Sequence, residues 1–272
     1  MSRVEIIAVG KEILRGKTLD TNSNWLARRI SALGGEVARM VTVDDLVPEI
    51  VNELRTSRHN RSKVIITTGG MGPTFDDRTL EAVARATRRK LILNQEALNF
   101  VTQMYRDFKE RGFVDSEELT PSRKKMALLP RGSTILPNSV GAAPGVKLSL
   151  KDTIIFCLPG VPAEMKAIFE ESLVKEFQTT IGKRYLREKK VSADLGDESR
   201  LAGVVDQVMR QVPGVYIKSF PSHFGKEVHL PLGIIASGDK QKEVEDILQK
   251  AIEKLKEELK DIGHSLTELP EE

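Results

Sequence analysis

Lys63-Val64-Ile65-Ile66-Thr67-Thr68-Gly69-Gly70-Met71-Gly72-Pro73-Thr74-Phe75-Asp76-Asp77 reads as an apolar β-branched strand, a turn with three glycines, and two adjacent carboxylates. A helix-patterned segment follows over residues 78–88, with Leu80, Val83, Ala84 and Thr87 at helical spacing. Strand, glycine-rich turn and helix start together build an anion site. Glycine reaches backbone angles that let successive N–H groups converge, and the helix N-terminus adds partial positive charge. Phosphate is the guest that such a site suits. Asp76 and Asp77 would repel it unless a divalent cation lay between them, and Mg²⁺ is usually held by one or two carboxylates together with substrate phosphates. The competing reading makes Asp77 the N-cap of the next helix and the glycines plain turn residues. Spacing alone does not separate the two.

Toward the N-terminus, residues 4–9 read as a buried strand ending at Gly10-Lys11-Glu12. Trp25, Leu26, Ile30 and Leu33 mark a helix that starts near Thr21 or Asn22 and is stopped by Gly34-Gly35. Residues 37–43 form a second strand pattern ending at Asp44-Asp45, and Ile50, Val51 and Leu54 a second helix. Alternation of strand and helix at this spacing predicts a parallel sheet covered on both faces, with ligands beyond the carboxyl ends of its strands. Glu12, Asp45, Asp76 and Asp77 all fall at such ends, which favours the metal–phosphate reading over a simple turn.

Beyond the turn, residues 95–111 read as an insertion or lid helix and residues 119–128 as a further short helix. Residues 131–150 are rich in Gly, Pro, Ser and Asn, with a long turn over 136–145 flanked by short strand patterns. Residues 153–158 form a strand pattern running into Pro159-Gly160-Val161-Pro162, and Pro162 suits the first turn of a helix reaching about Phe177. Residues 182–190 read as a charged linker. A strand (190–195), a helix (198–212), a hairpin-like pair (215–220 and 227–235) and a last helix (240–259) then make a small α+β unit. Residues 266–272 are acidic and expected to fray.

With 272 residues, 40% hydrophobic and 30% charged, the chain is an ordinary globular one, long enough for one large or two smaller domains. Lys+Arg 42 against Asp+Glu 39 leaves +3, too balanced to point to nucleic acid. The basic runs at 85–90, 123–125 and 183–190 read as solvated faces. A single cysteine, Cys157, excludes an intramolecular disulfide, and its apolar strand makes it core rather than nucleophile. No leader pattern and no apolar stretch of membrane-spanning length is present, which leads us to expect a cytoplasmic protein. His59, His223, His229 and His264 lack the spacing of zinc ligands, and Trp25 reads as core.

The run Thr67-Thr68-Gly69-Gly70-Met71-Gly72-Pro73-Thr74-Phe75-Asp76-Asp77 resembles the signature of the molybdopterin-binding domain superfamily, in the branch of the competence/damage-inducible CinA proteins. Supporting matches are Gly10-Lys11-Glu12-Ile13-Leu14-Arg15-Gly16, Asp20-Thr21-Asn22, Asn138 with Gly141 and Pro144-Gly145, and Leu158-Pro159-Gly160-Val161-Pro162-Ala163-Glu164-Met165, in family order over residues 4–177. The tail from about Lys190 resembles the small KH-like middle domain of CinA through Gly196-Asp197-Glu198-Ser199 and the helix after it. The resemblance implies a three-layer α/β/α Mog-like domain over residues 1–180 and a small α+β KH-like domain over residues 188–263. It implies a short form without the nicotinamide mononucleotide deamidase domain of bacterial CinA, and a homodimer or higher homo-oligomer.

It also implies one of two activities on a small nucleotide or pterin. One is hydrolysis of ADP-ribose and related dinucleotide pyrophosphates to AMP and ribose 5-phosphate, with Mg²⁺ or another divalent metal. The other is binding and adenylylation of molybdopterin in molybdenum cofactor biosynthesis. A non-catalytic binding module is a third possibility. Carried over by residue, Asp77 matches the carboxylate shared by both branches, Asp76 the second acid of the CinA form, and Asp45 the acid after the second strand, with Asp44 its neighbour in register. Asp45, Asp76 and Asp77 are the expected metal ligands. Thr68, Gly69, Gly70, Gly72 and Thr74 match the phosphate turn, and Asn22, Gly141, Pro144 and Gly145 complete the nucleotide site. Glu12, the first-strand acid, or Asp45 would position the attacking water, and Lys125, a basic residue of the CinA pattern, would stabilise the leaving phosphate. The sequence departs from that pattern at Lys11 and Met126. RNA binding by the tail is disfavoured, because KH domains clamp RNA with a GXXG loop and residues 190–262 contain none.

Overall fold

The computed structural model describes residues 3–181, 185–220 and 229–270. The chain divides into two compact units, one of Met1–Ser31 with Gly35–Gly182 and one of Ala32–Gly34 with Lys183–Glu272.

In the first unit the elements run β1 (Arg3–Val9), α1 (Lys11–Leu14), α2 (Thr21–Ala32), β2 (Glu36–Val43), α3 (Val47–His59), β3 (Val64–Thr68), α4 (Thr79–Ala86), β4 (Leu91–Leu93), α5 (Gln95–Glu110), α6 (Pro121–Lys125), β5 (Leu128–Pro130), β6 (Ser133–Leu136), β7 (Gly145–Ser149), β8 (Ile154–Leu158), α7 (Pro162–Ile168), a π-helical turn (Phe169–Leu173) and α8 (Val174–Ile181). The main sheet has the order β2-β1-β3-β8-β7-β6. Every residue of β3 is buried, as an unbroken β-branched run requires of a central strand covered on both faces. Successive side chains serve opposite layers. Ile65, Ile155 and Cys157 join Ile50, Leu54, Leu80 and Val83 in one apolar cluster. On the other side the ring of Phe156 stacks on Phe177, and Phe169 packs against both Phe177 and Trp25. Cys157 is core, and burial pushes its thiol up to about 12.

Three expectations need correction here. The sheet is not wholly parallel: β2, β1, β3 and β8 are, whereas β7 and β6 run antiparallel. The connection from β7 to β8 is closed by Leu150 N–H donating to the Thr153 carbonyl at 2.9 Å, too short for the crossover that a parallel neighbour demands. The helix expected over 119–128 is only α6, started by Thr120, whose hydroxyl caps Arg123 N–H, and by Pro121. After it the chain extends into β5, which pairs with β4. The helix begun at Pro162 continues past Phe177 through the wide turn that buries Phe169 and Leu173.

The second unit contains β9 (Tyr185–Ala193), α9 (Glu198–Gln211), β10 (Val215–Ser219), β11 (Leu230–Gly238), α10 (Gln241–Asp261) and β12 (Leu266–Glu268). Its antiparallel sheet has the order β10-β11-β9-β12. Val191, Ile234, Val208, Val244 and Leu255 lie in its core. Residues 185–190 are therefore strand rather than linker, because their backbone pairs along β11. Likewise Leu266–Glu268 does not fray: it pairs with β9, and Lys256 and Lys189 hold Glu268 at 3.0 and 3.4 Å. His223, residues 182–184 and the start of the second hairpin strand at 227–228 lie outside the described residues. Among the described residues no helix is long and apolar enough to cross a membrane.

Candidate functional site

The carboxyl ends of β1, β2, β3 and β8 converge on a cavity of about 270 Å³ in the first unit. Glu12 follows β1, Asp45 follows β2, Thr68 ends β3, and Gly69, Gly70, Thr74, Asp76 and Asp77 follow it. Asp20, Thr21 and Asn22 enter from the start of α2, and Gly160 and Pro162 from the turn after β8. The expected acids therefore share one cavity.

The turn after β3 depends on backbone angles that side chains disfavour. Gly69 has φ 104° and Gly70 φ 67°. A Cβ on Gly69 would collide with the Val9 carbonyl, and one on Gly70 with the Thr79 hydroxyl. Thr79 secures both, its hydroxyl donating to the Gly69 carbonyl at 2.8 Å and its N–H to that of Gly70 at 3.0 Å. The Gly69 N–H extends the sheet, donating to Leu158 at 3.0 Å, so it is not available to a phosphate as expected. The N–H groups of Gly70, Met71 and Gly72 find no acceptor among the described residues. They are the amides that this turn offers an anion. Gly69→Ala should destabilise the protein by about 1–3 kcal/mol from strain alone, with the backbone collision adding to it. Denaturant unfolding measures this.

The carboxylates differ in their restraints. Asp77 does not cap α4, whose N-cap is Arg78. Instead its Oδ2 accepts from Thr74 N–H at 2.8 Å and from the Thr74 hydroxyl at 2.6 Å, closing the turn over Gly72. The Thr74 hydroxyl also bonds Asp76, which holds that carboxyl below the usual range. One proton serves only one of the two acids at a time. Asp44 is ion-paired with Lys11 at 3.0 Å, and it is Asp45 that lines the cavity. Asp45 is pushed up, first by its hydrogen bond with Asp44, then by burial and by the charges of Asp44 and Asp76. The cavity thus has a negative field. Among the described residues no three of His, Cys, Asp and Glu gather closely enough to hold a metal ion unaided. Carboxylates facing one cavity beside free amides fit a cation whose remaining ligands are phosphate oxygens, the usual habit of Mg²⁺.

Asn22 is a clamp. Its Nδ2 donates to Thr68 Oγ1 at 3.0 Å and to the Gly160 carbonyl at 2.8 Å, and Thr68 in turn donates to Pro159 at 3.0 Å. Its buried Oδ1 has no partner among the described residues. Asp20 entered the sequence reading only as part of the Asp20-Thr21-Asn22 match, with no role assigned. It lines the cavity and caps α2 through Ser23 N–H at 2.9 Å.

Some expected residues lie elsewhere. Lys125 does not line the cavity: its amine donates to the Thr74 carbonyl and braces the turn, with burial lowering its pKa against the charges of Asp77 and Asp76. Pro144 and Gly145 are buried away from the opening; a Cβ on Gly145 would lie 2.8 Å from Ile168, so this glycine lets β7 approach α7. Gly72 and Gly141 line a second cavity of about 480 Å³, which shares Gly70, Asp77 and Gly160 with the first.

The model of the family described as "Probable molybdopterin binding domain" matches residues 5–179, which hold every residue lining both cavities. The chain belongs to this family. A relative from Pyrococcus abyssi is 40% identical over 251 residues, covering 92% of this chain and 94% of its own. One from Caldivirga maquilingensis is 42% identical over 265 residues, covering 96% and 98%. Among solved structures, the CinA protein of Thermoplasma acidophilum, described as of unknown function, is 33% identical with a TM-score of 0.58, over 65% of this chain and 98% of that one. The first unit is thus a Mog-like molybdopterin-binding domain, and the second is a small additional sheet domain.

Proposed function

We propose that the molybdopterin-binding domain of this chain hydrolyses the pyrophosphate bond of a small nucleotide of the ADP-ribose type. The observation that carries the reading is the meeting of Asp45, Asp76, Asp77 and Glu12 with the glycine turn in one cavity. The amide of Gly70, which lines this cavity and has no acceptor among the described residues, binds one phosphate, with those of Met71 and Gly72 behind it toward the neighbouring cavity. Asp45, Asp76 and Asp77 do not gather closely enough to hold a metal by themselves, and they would hold Mg²⁺ or a similar ion only together with the phosphoryl oxygens whose charge it would neutralise. Asp45 serves as the base: it takes a proton from the water whose oxygen attacks phosphorus, while the bridging P–O bond breaks to leave AMP and ribose 5-phosphate. Its raised pKa makes it a stronger proton acceptor than an ordinary aspartate. Glu12 helps to orient the water, and Lys125 keeps the turn in place from behind. A homodimer in the cytoplasm belongs to the same reading.

Incubation with ADP-ribose and Mg²⁺, Co²⁺ or Ni²⁺, followed by product analysis, tests it. AMP with ribose 5-phosphate supports hydrolysis. The family match favours a second reading, adenylylation of molybdopterin, whose product would be an adenylylated pterin. Tight binding without turnover would leave a binding module.

The acid limb of the pH–rate profile checks the base. Only ionised Asp45 accepts a proton, so the rate falls as pH drops through its raised pKa. Asp44→Asn removes the largest cause of that elevation and should move the limb to lower pH. An unmoved limb would assign the base elsewhere.

A further inference from the structure

We propose that an arginine patch on the first unit, at the end of the sheet opposite the acidic cavity, binds the phosphate backbone of a nucleic acid duplex without regard to base sequence. α4 starts at that cavity, where Thr79 secures the glycine turn, and runs away from it to Ala86. α3 starts two residues after Asp45 and ends at His59, just before β3 begins. The patch forms where the far ends of these two helices meet.

Arg58, in the last turn of α3, donates from Nη1 to the Ala86 carbonyl at the end of α4, at 3.4 Å. Arg55 lies three residues before it, on the same face of α3. Arg89 Nη1 donates to the Arg131 carbonyl at 2.9 Å, and Arg131 N–H to that of Lys90 at 2.8 Å, which brings in the turn between β5 and β6. With Arg61 and Arg88 these make six arginines, all exposed. The basic run at 85–90 is a solvated face, then, but not an isolated one. The three stretches that meet here, 54–75, 82–95 and 119–151, contain no Asp or Glu. The acids at their borders, Glu53 and Glu81, are already paired, with Arg39 and with Arg78 and Arg85. A net charge of only +3 conceals this separation, because Asp45, Asp76 and Asp77 stand at the opposite end of the sheet.

Fold maintenance accounts for only two of the six. Arg58 and Arg89 bond main-chain carbonyls, and Arg58 is also the cation that suits a helix C-terminus. Arg55, Arg61, Arg88 and Arg131 have neither an ion pair nor a side-chain hydrogen bond among the described residues. Arg61 and Arg88 moreover stand against backbone preference. Each follows the C-cap of its helix, with φ 59° and 56°, and no other described residue except glycine has a positive φ. Glycine is the usual occupant of that position, because a side chain is strained there. Strain of this kind, found at both helix ends of one patch, points to a use for the guanidinium groups. Their planar forks match phosphate oxygens bidentately, and a field of one sign suits a polyanion. Residues 51–63, 82–95 and 127–135 contain no Phe, Tyr or Trp on which unpaired bases could stack, which favours a duplex over a single strand. Of the large exposed hydrophobic residues only Leu93 belongs to these segments, whereas a lipid surface takes up an apolar face.

Fluorescence anisotropy of a labelled DNA duplex and of the matching RNA duplex, titrated with the full chain over a series of salt concentrations, tests the proposal. Affinity should fall steeply with salt and be alike for two unrelated sequences, and the duplex bound more tightly names the source of the phosphate. R61G/R88G should flatten the slope of log K against log salt by about two, one for each lost phosphate contact, and weaken both sequences equally. Glycine suits both positions, so this variant should melt near the native temperature. R55A/R131A, which removes two side chains without partners, should reproduce the change with the backbone untouched. K242A/K250A removes two exposed charges from the second unit and should leave binding as it was. Failure of the native protein to bind either duplex overturns the proposal, as does a slope unmoved in R61G/R88G and R55A/R131A, or an equal loss in K242A/K250A. Tighter binding to a single strand, or to phosphatidylserine vesicles, than to either duplex overturns it too, assigning the patch to that partner instead.

Discussion

Asp77→Asn should lower the rate of ADP-ribose cleavage by roughly 10²–10³-fold, the usual effect of removing one preorganised electrostatic group, without unfolding the domain. Asparagine retains an oxygen for Thr74 N–H and for the Thr74 hydroxyl, which now meet Asp77 Oδ2 at 2.8 and 2.6 Å. The turn keeps its closure and loses only a charge. Asp77→Ala would remove both, opening the turn over Gly72 and leaving the Lys125 contact with Thr74 without its counterpart. Comparing the two separates chemistry from scaffolding: loss in both variants, with an unchanged melting temperature in Asp77→Asn, assigns Asp77 to the reaction. Undiminished cleavage by Asp77→Asn would refute that assignment.

Glu5→Ala should cost about 1–3 kcal/mol of stability, the penalty for leaving the buried donors that face this carboxylate unsatisfied. Glu5 is 1% exposed in β1. Its carboxylate accepts from Ser62 Oγ at 2.8 Å, Asn60 Nδ2 at 3.1 Å and Arg39 at 3.1 Å. Alanine would leave these donors unmatched, with Arg39 bonded to Glu53 alone. Burial, the largest single influence, works to raise the Glu5 pKa, but the neighbouring Ser57 and the bonds from Ser62, Asn60 and Arg39 together hold it below its ordinary value. A depressed native pKa means that the stabilisation is present above the ordinary glutamate range and is lost as pH falls through the native pKa. The difference between native protein and variant in urea unfolding should therefore be largest near neutral pH and shrink on acidification.

The parts of this fold that were readable in the sequence are those in which local pattern and tertiary environment agree. β1 and β3 are β-branched runs buried on both faces, and Asp45, Asp76, Asp77 and Glu12 could be grouped because parallel strands end at one edge. The direction of β7 was not readable, since it follows from a connection too short to cross the sheet. β9 carries Arg187, Glu188, Lys189 and Lys190 and so resembles a linker until β11 and β12 pair with it. The Gly69 N–H looked like a phosphate donor because nothing in the turn reveals that Leu158 will lie beside it. The surroundings of Lys125 and Glu164 were hidden for a similar reason. A lysine near a phosphate turn suggests chemistry, yet its amine meets a main-chain carbonyl. A glutamate in the first turn of α7 suggests helix-dipole compensation, yet Asn138, 26 positions away, holds it at a cavity wall.

The central claim is that acids and main-chain amides of this cavity bind a cation and a phosphate together. Calorimetric titration of Mg²⁺ into the protein, with and without ADP-ribose, tests it most directly. Linkage requires each ligand to tighten the other by the same factor, so Mg²⁺ should bind more tightly when ADP-ribose is present, and Asp45→Asn should abolish that gain. Binding of ADP-ribose that is indifferent to Mg²⁺ and unaltered in Asp45→Asn would contradict the account.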